Sequence, residues 1–373
     1  MKDISIKAAA CVFAAEAFLC AAPAQAQQVT LYGLMDVGVE RIGNVGAGGA
    51  SIVRMPSTTA SQASRWGLRG SEELSPGLKA IFTLESGFGS DTGISGQGGR
   101  LFGRQAFVGL SGGWGTVAFG RQYTMLLYPF IDVDPIGPQT MGLGSLDSYL
   151  PNTRSDNSVT WRGTFNGVTA GAHYSLGRDA ANPAPNNPAG TNCGGEVAGD
   201  AQACRGWSAM LKYDAPSWGV GGAVDAIRGG AGSWAALNLT SSAQTDRRSL
   251  IDVYARVLGV KISGGVMLRD NDGSATTPRS RMVLAAVSWP VTPAITLDAD
   301  WAQLKFKNSP NGATLLVARA TYALSKRTAI YLSVGRIDND GAANFSVSGG
   351  AGGSNPAAGA GQNGVLTGLR HTF

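Results

Sequence analysis

The sequence predicts an all-β fold, a 16-stranded antiparallel transmembrane β-barrel, from three observations. The first is the end of the chain. Val365, Thr367, Leu369, His371 and Phe373 alternate with Leu366, Gly368, Arg370 and Thr372, and a period of two marks a strand with two different environments. A frayed aromatic end suits a soluble edge strand poorly, because it recruits other chains. It suits a closed barrel well, with Phe373 in the aromatic girdle as the barrel's C-terminal signal. The second observation is repetition of such segments, each about ten residues long. The third is that the connections between them are short and long by turns.

Taken in order, the first strand spans 28–40, with Val29, Leu31, Met35, Val37 and Val39 on one face and Thr30, Tyr32, Asp36 and Glu40 on the other. Strands follow at 60–72, 76–88, 101–111, 114–122, 155–163 and 166–176. The second half continues at 205–214, 217–227, 247–258, 259–269, 281–290, 293–306, 312–324, 327–337 and 363–373. An oily face and a charged face on each strand fit lipid outside and water inside. Short links such as Leu74-Ser-Pro-Gly77, Thr164-Phe-Asn-Gly167 and Leu258-Gly259 have turn composition. The long links lie at 41–59, 89–100, 123–154, 177–204, 228–246, 270–280, 307–311 and 338–362. Both termini then fall on the short-turn side, the asymmetry of a barrel with periplasmic turns and external loops.

The N-terminus sets the compartment. Lys2 and Lys7 precede an apolar stretch, Ala8 to Ala22, and then Pro23-Ala-Gln-Ala26. That is a cleavable secretory signal over 1–26, leaving a mature barrel over 27–373. Glu16 interrupts the apolar stretch, and Leu19 is too large for a lipoprotein site at Cys20. No later apolar run of about 18 residues exists, which excludes a helical membrane protein. Gly, at 54 of 373 residues, is roughly twice its usual share, as many turns require. The net charge of +5 is spread along the chain without the basic cluster of a nucleic-acid footprint.

Several motifs resemble the trimeric general porins of beta-proteobacterial outer membranes. They include Val29-Thr-Leu-Tyr-Gly33, Ser64-Arg-Trp-Gly-Leu-Arg-Gly-Ser-Glu-Glu-Leu74 and Gly77-Leu-Lys-Ala-Ile-Phe-Thr-Leu-Glu-Ser-Gly87. Others are Arg100-Leu-Phe-Gly-Arg-Gln-Ala-Phe-Val-Gly-Leu110, Gly115-Thr-Val-Ala-Phe-Gly-Arg-Gln122 and Gly368-Leu-Arg-His371 with Phe373. The resemblance covers the mature chain but is poor in the loops from 177 to 281. It implies a homotrimer in outer-membrane lipid, inserted by the barrel assembly machinery, with a long third external loop folded into the pore.

Catalytic chemistry is scarce. His173 and His371 are far apart and lack zinc-site spacing, and no G-x-S-x-G elbow occurs. No enzyme, cofactor or metal site is expected, although barrel enzymes form the distant alternative. Cys193 and Cys204 share the fourth long loop, and an even number in an oxidising compartment reads as a disulfide, with two free thiols as the alternative. Closing so short a loop would contribute roughly 3 kcal/mol on the chain-entropy model.

The arginines carry the functional reading. Trp66 and Leu68 share one face of the second strand, so Arg65 and Arg69 share the other. An arginine facing lipid costs about 2–4 kcal/mol at midplane, which turns both inward. By resemblance, Arg65, Arg104 and Arg154 match a basic cluster opposite the inward loop. That loop offers Asp132, Asp134 and Asp147 as counter-charges, and Asp134-Pro-Ile-Gly137 replaces the Pro-Glu-Phe-Gly-Gly signature of enteric porins. These features imply a passive channel for small ions and solutes with weak anion preference, selecting by size and a transverse field. A substrate-specific channel is the nearest variant.

Overall fold

The computed structural model describes residues 28–373, apart from 58, 138, 140, 181–189, 232–237 and 350–351. The expected signal segment, 1–26, lies outside the described residues. The strands are β1 (Gln28–Val45), β2 (Ala50–Arg54), β3 (Arg65–Ser75), β4 (Leu78–Gly87), β5 (Gln105–Gly112) and β6 (Gly115–Tyr123). They continue with β7 (Arg154–Phe165), β8 (Val168–Ser175), β9 (Gly206–Asp214), β10 (Trp218–Arg228), β11 (Thr245–Val257) and β12 (Val260–Asn271). The last are β13 (Arg279–Pro290), β14 (Ile295–Phe306), β15 (Gly312–Ala323), β16 (Thr328–Asp340) and β17 (Gln362–Thr372). Each pairs antiparallel with its neighbours, and β1 pairs with β17 from Leu34↔Thr372 to Ile42↔Gly364, which closes the sheet.

The closed barrel has sixteen staves because β2 and β3 share one of them. β3 runs along the first half of β1, from Gln28↔Ser71 to Leu34↔Arg65. β2 runs along the second half, from Glu40↔Arg54 to Val45↔Ala50. The strand expected at 60–72 therefore starts later, at Arg65, and the expected loop 41–59 contains β2. Residues 59–64 leave the sheet because Asp36 binds them inside: it accepts from the Ser61 hydroxyl at 2.5 Å and the Gln62 amide at 2.7 Å.

Alternation along each strand sets the two faces. On β1, Leu31, Met35 and Val39 are exposed outward while Asp36, Glu40 and Ile42 are buried inward. The same outward apolar series recurs as Ile251 and Val253 on β11 and as Leu332 and Val334 on β16. An outward apolar band over a closed hydrogen-bonded sheet satisfies the backbone without water. Phe373 seals the seam: its amide and carbonyl exchange hydrogen bonds with Gly33 at 3.1 and 3.0 Å. Its ring lies where a Cβ at Gly33 would sit, so only glycine admits it there.

Inside, polarity departs from simple alternation. Met267, Met282, Leu284, Leu304, Leu315 and Val317 point inward yet are apolar and buried. They form one cluster with Met125, Leu126, Phe130, Val133, Met141, Leu143 and Leu150 of the segment between β6 and β7. That segment contains the helix α1 (Leu127–Val133), which touches β10, β11 and β12. Burying a Leu or Met side chain contributes about 1.5–3 kcal/mol, so this apolar stripe fixes the segment against the wall.

Candidate functional site

Arg65 and Arg69 stand on the face of β3 that also carries Gly67, opposite Trp66 and Leu68. Register with β4 sets Gly67 beside Glu85, and Glu85 becomes the centre of a charged group. Arg104 Nε donates to Glu85 at 2.7 Å, Arg65 Nε lies 3.8 Å from it, and the Tyr32 hydroxyl donates to it at 3.0 Å. Arg104 and Arg154 both donate to the Tyr123 hydroxyl oxygen, at 2.9 and 3.2 Å. The Arg154 guanidinium also stacks 4.7 Å above the Tyr123 ring. A Cβ at Gly87 would sit 3.0 Å from Arg104 Cδ, so glycine leaves room for that side chain.

The structure thus brings Arg65, Arg104 and Arg154 together. Arg69 stands aside, exposed, its guanidinium 5.2 Å from the Tyr32 ring. Arg121 is elsewhere: after an irregularity in β6 it pairs with Asp156 at 2.6 Å, in a network that includes Arg100 and Asp179. Arg162, eight residues further along β7 than Arg154, stacks 4.2 Å from the ring of Tyr128 in α1.

The acidic residues expected as counter-charges to the arginines are engaged on the opposite wall. Asp132 is ion-paired with Lys212 of β9, which also reaches Asp214 at 3.2 Å. Asp134 is buried and accepts from the Gly137 amide at 2.7 Å; burial pushes its carboxyl above the ordinary range despite that bond. Asp147 grips Arg248 with both oxygens, at 2.8 and 3.1 Å. Burial opposes ionisation there, but the Arg248 and Arg269 charges hold the Asp147 carboxyl below the usual range. Backbone anchors add to these ties: Arg319 donates to the carbonyls of Ile136 and Pro135 at 2.9 and 2.8 Å. Ser263 donates to the Val133 carbonyl at 2.9 Å.

A narrow cavity of ≈ 40 Å³ is lined by Arg104 and Arg154 together with uncharged residues of this segment, among them Gln139, Ser148 and Asn152. Sequence reasoning missed Glu85 and Tyr123 as the partners. Glu85 was visible as the inward carboxylate of a strand motif, but its pairing depends on register across β3, β4 and β5. Among the described residues, no group of His, Cys, Asp or Glu has the arrangement of a metal site. Cys193 and Cys204 form a disulfide with Cα atoms 5.3 Å apart.

A family profile described as Gram-negative porin matches residues 8–342. An outer membrane porin protein of Bordetella pertussis is 38% identical over 174 residues, covering 42% of this chain and 45% of that protein. The alignment thus spans less than half of that relative. Outer membrane porin protein 32 of Delftia acidovorans is 29% identical over 364 residues, covering 92% of this chain and 94% of the other. Among solved structures, the anion-selective porin from Comamonas acidovorans superposes with a TM-score of 0.73 at 22% identity, over 93% of this chain and 100% of that one.

Proposed function

The chain belongs to the Gram-negative porin family and forms an outer-membrane channel, not an enzyme; we propose that it passes small hydrophilic ions and solutes with a weak preference for anions. The observation that carries this reading is an imbalance. Among the described residues, Arg65 and Arg104 share the single carboxylate Glu85 and Arg154 meets only Tyr123, while Asp132 and Asp147 are neutralised by Lys212 and Arg248. The guanidiniums keep their protons at any working pH. An anion passing between Tyr123 and the segment at 124–153 meets positive charge on one side and uncharged amides and hydroxyls on the other. In this reading that segment narrows the pore, and selection is by size and by the transverse field. A similarly folded porin bears the description anion-selective, which supports the same sign here.

Homologues of this family are generally trimeric, and the proposal includes a homotrimer inserted by the barrel assembly machinery after loss of residues 1–26. Phe373 would serve as its C-terminal signal. The decisive measurement is the reversal potential of single channels across a dilute KCl gradient. In water one charge about 7 Å away changes the energy of a permeant ion by about 0.6 kcal/mol, with opposite sign for anion and cation. Arg104→Ser should therefore lower the chloride-to-potassium permeability ratio by about sevenfold. The effect should shrink near 1 M salt, where the Debye length is about 3 Å. A reversal potential unmoved by Arg104→Ser in dilute salt would sink the assignment.

A further inference from the structure

The external rim carries a second charged surface, on the outward face of β11–β14 and separate from the lumen. Alternation there turns Arg247, Arg279, Arg281, Lys305 and Lys307 out of the barrel, and all are exposed. They stand where the strands enter the long links at 228–246, 270–280 and 307–311. Register sets Arg281 directly opposite Lys305 on one side and Leu268 on the other, with Asp270 between Arg247 and Arg279. The five cations line one hollow of ≈ 440 Å³.

The hollow is short of negative charge. Asp270 is its carboxylate, 3.3 Å from Arg279 Nε. Arg247, Arg281, Lys305 and Lys307 have no side-chain hydrogen bond or ion pair among the described residues. Like charges directly opposite on adjacent strands repel, so the Arg281–Lys305 pair is a cost unless an anion sits over it. Elsewhere on the rim, outward Arg336 on β16 is paired with Asp338 at 2.6 Å.

Depth decides what that anion belongs to. Val283, the next outward residue along β13, stands two residues and about 7 Å below Arg281. Leu268 beside Arg281 is 52% exposed, and Ile251 below Arg247 is 70% exposed, continuing the apolar band. An outward cation is costly at the bilayer centre and nearly free at its edge. The hollow therefore lies at headgroup level, floored by residues that face acyl chains. We propose that it binds an outer-leaflet lipid through phosphate groups on its headgroup, with Arg281 and Lys305 at the centre.

The test is native mass spectrometry of the full barrel titrated with diphosphoryl lipid A, with phosphatidylcholine, and with inorganic phosphate as competitor. Lipid A should be retained over phosphatidylcholine, and its retention should fall as salt rises. Juxtamembrane cations contribute about 1 kcal/mol each toward anionic lipid, so Arg281→Gln with Lys305→Gln should weaken binding by about 30-fold. Arg336→Gln should leave it unchanged. Conductance of the double variant should match the parent, since both side chains face away from the pore; Lys305→Gln alone is the variant to read if the double one misfolds. Equal retention of both lipids, undiminished binding by these variants, or displacement by inorganic phosphate would overturn the proposal.

Discussion

The two inner walls of the barrel use the same charged residues to opposite ends. On β3–β7, Arg65, Arg104 and Arg154 converge on Glu85 and Tyr123, three cations to one carboxylate, with Arg104 and Arg154 lining a small cavity. On β9–β15, Lys212, Arg248 and Arg319 are each held by aspartates or loop carbonyls. There Asp147, Asp246 and Asp298 end in ion pairs that hold the 124–153 segment or its anchoring strands in place. The difference teaches that a count of lumen charges says little about selectivity. Charge that anchors a loop is neutralised locally, while charge beside a cavity is the charge that the proposed selectivity rests on.

The harshest way to break the comparison is Arg248→Ala. Arg248 is 1% exposed and lies between Asp147 and Asp246, at 2.8 and 2.7 Å. Its loss leaves the buried Asp147 without its paired cation, a cost of about 3–5 kcal/mol, while Asp246 keeps Arg269 at 2.8 Å. The expected outcome is a lower unfolding temperature and flickering single-channel current, as the segment comes off the wall. Unchanged stability and steady current would mean that the aspartate wall does not anchor the loop.

Glu85→Gln against Asp132→Asn tests the comparison more finely. Removing Glu85 exposes the full charge of Arg65 and Arg104 beside the cavity, and should raise the chloride preference by about sevenfold in dilute salt. Asp132→Asn should do less, because Asp214 still pairs with Lys212. Equal shifts in reversal potential would erase the distinction between the walls.

The smallest effect is with pH, and the loop carboxylates pull in opposite directions. Asp147 has a depressed pKa, so its contribution is present above the ordinary carboxylate value of about 3.9 and is lost as pH falls through its lower folded value. Asp134 has a raised one, so its contribution is full below that ordinary value and is lost as pH rises through its higher folded value. Asp147 faces Arg248 and Arg269, whereas Asp134 faces Asp298, Asp300 and Arg319. Asp134→Asn should therefore remove the loosening on the rising side, measured as current noise between acidic and neutral pH, and leave the acid side intact. Noise that stays pH-dependent on the rising side would exclude Asp134 as its source.

Strand number, strand faces and the link pattern were legible in the chain, because alternation every second residue is a local property. Ile251, Val253 and Val283 declare the outward face without reference to any partner. The late start of β3 was not legible, since Asp36 draws residues 61 and 62 out of the sheet through contacts some 25 residues away. Inward apolar residues such as Leu284 and Leu315 also broke the expected polarity, for they answer to the loop that covers them.

The sequence by itself determined the barrel and the inward aim of Arg65 and Arg69, because pleat and hydrophobicity act over two to ten residues. Only the tertiary structure decided which carboxylate each cation meets. Arg104 and Glu85 are 19 residues apart, Arg248 and Asp147 are 101 apart, and Arg319 and Ile136 are 183 apart. Those pairs form when the sheet closes and the segment docks, because short-range charge interactions depend on distance in space and not on spacing along the chain.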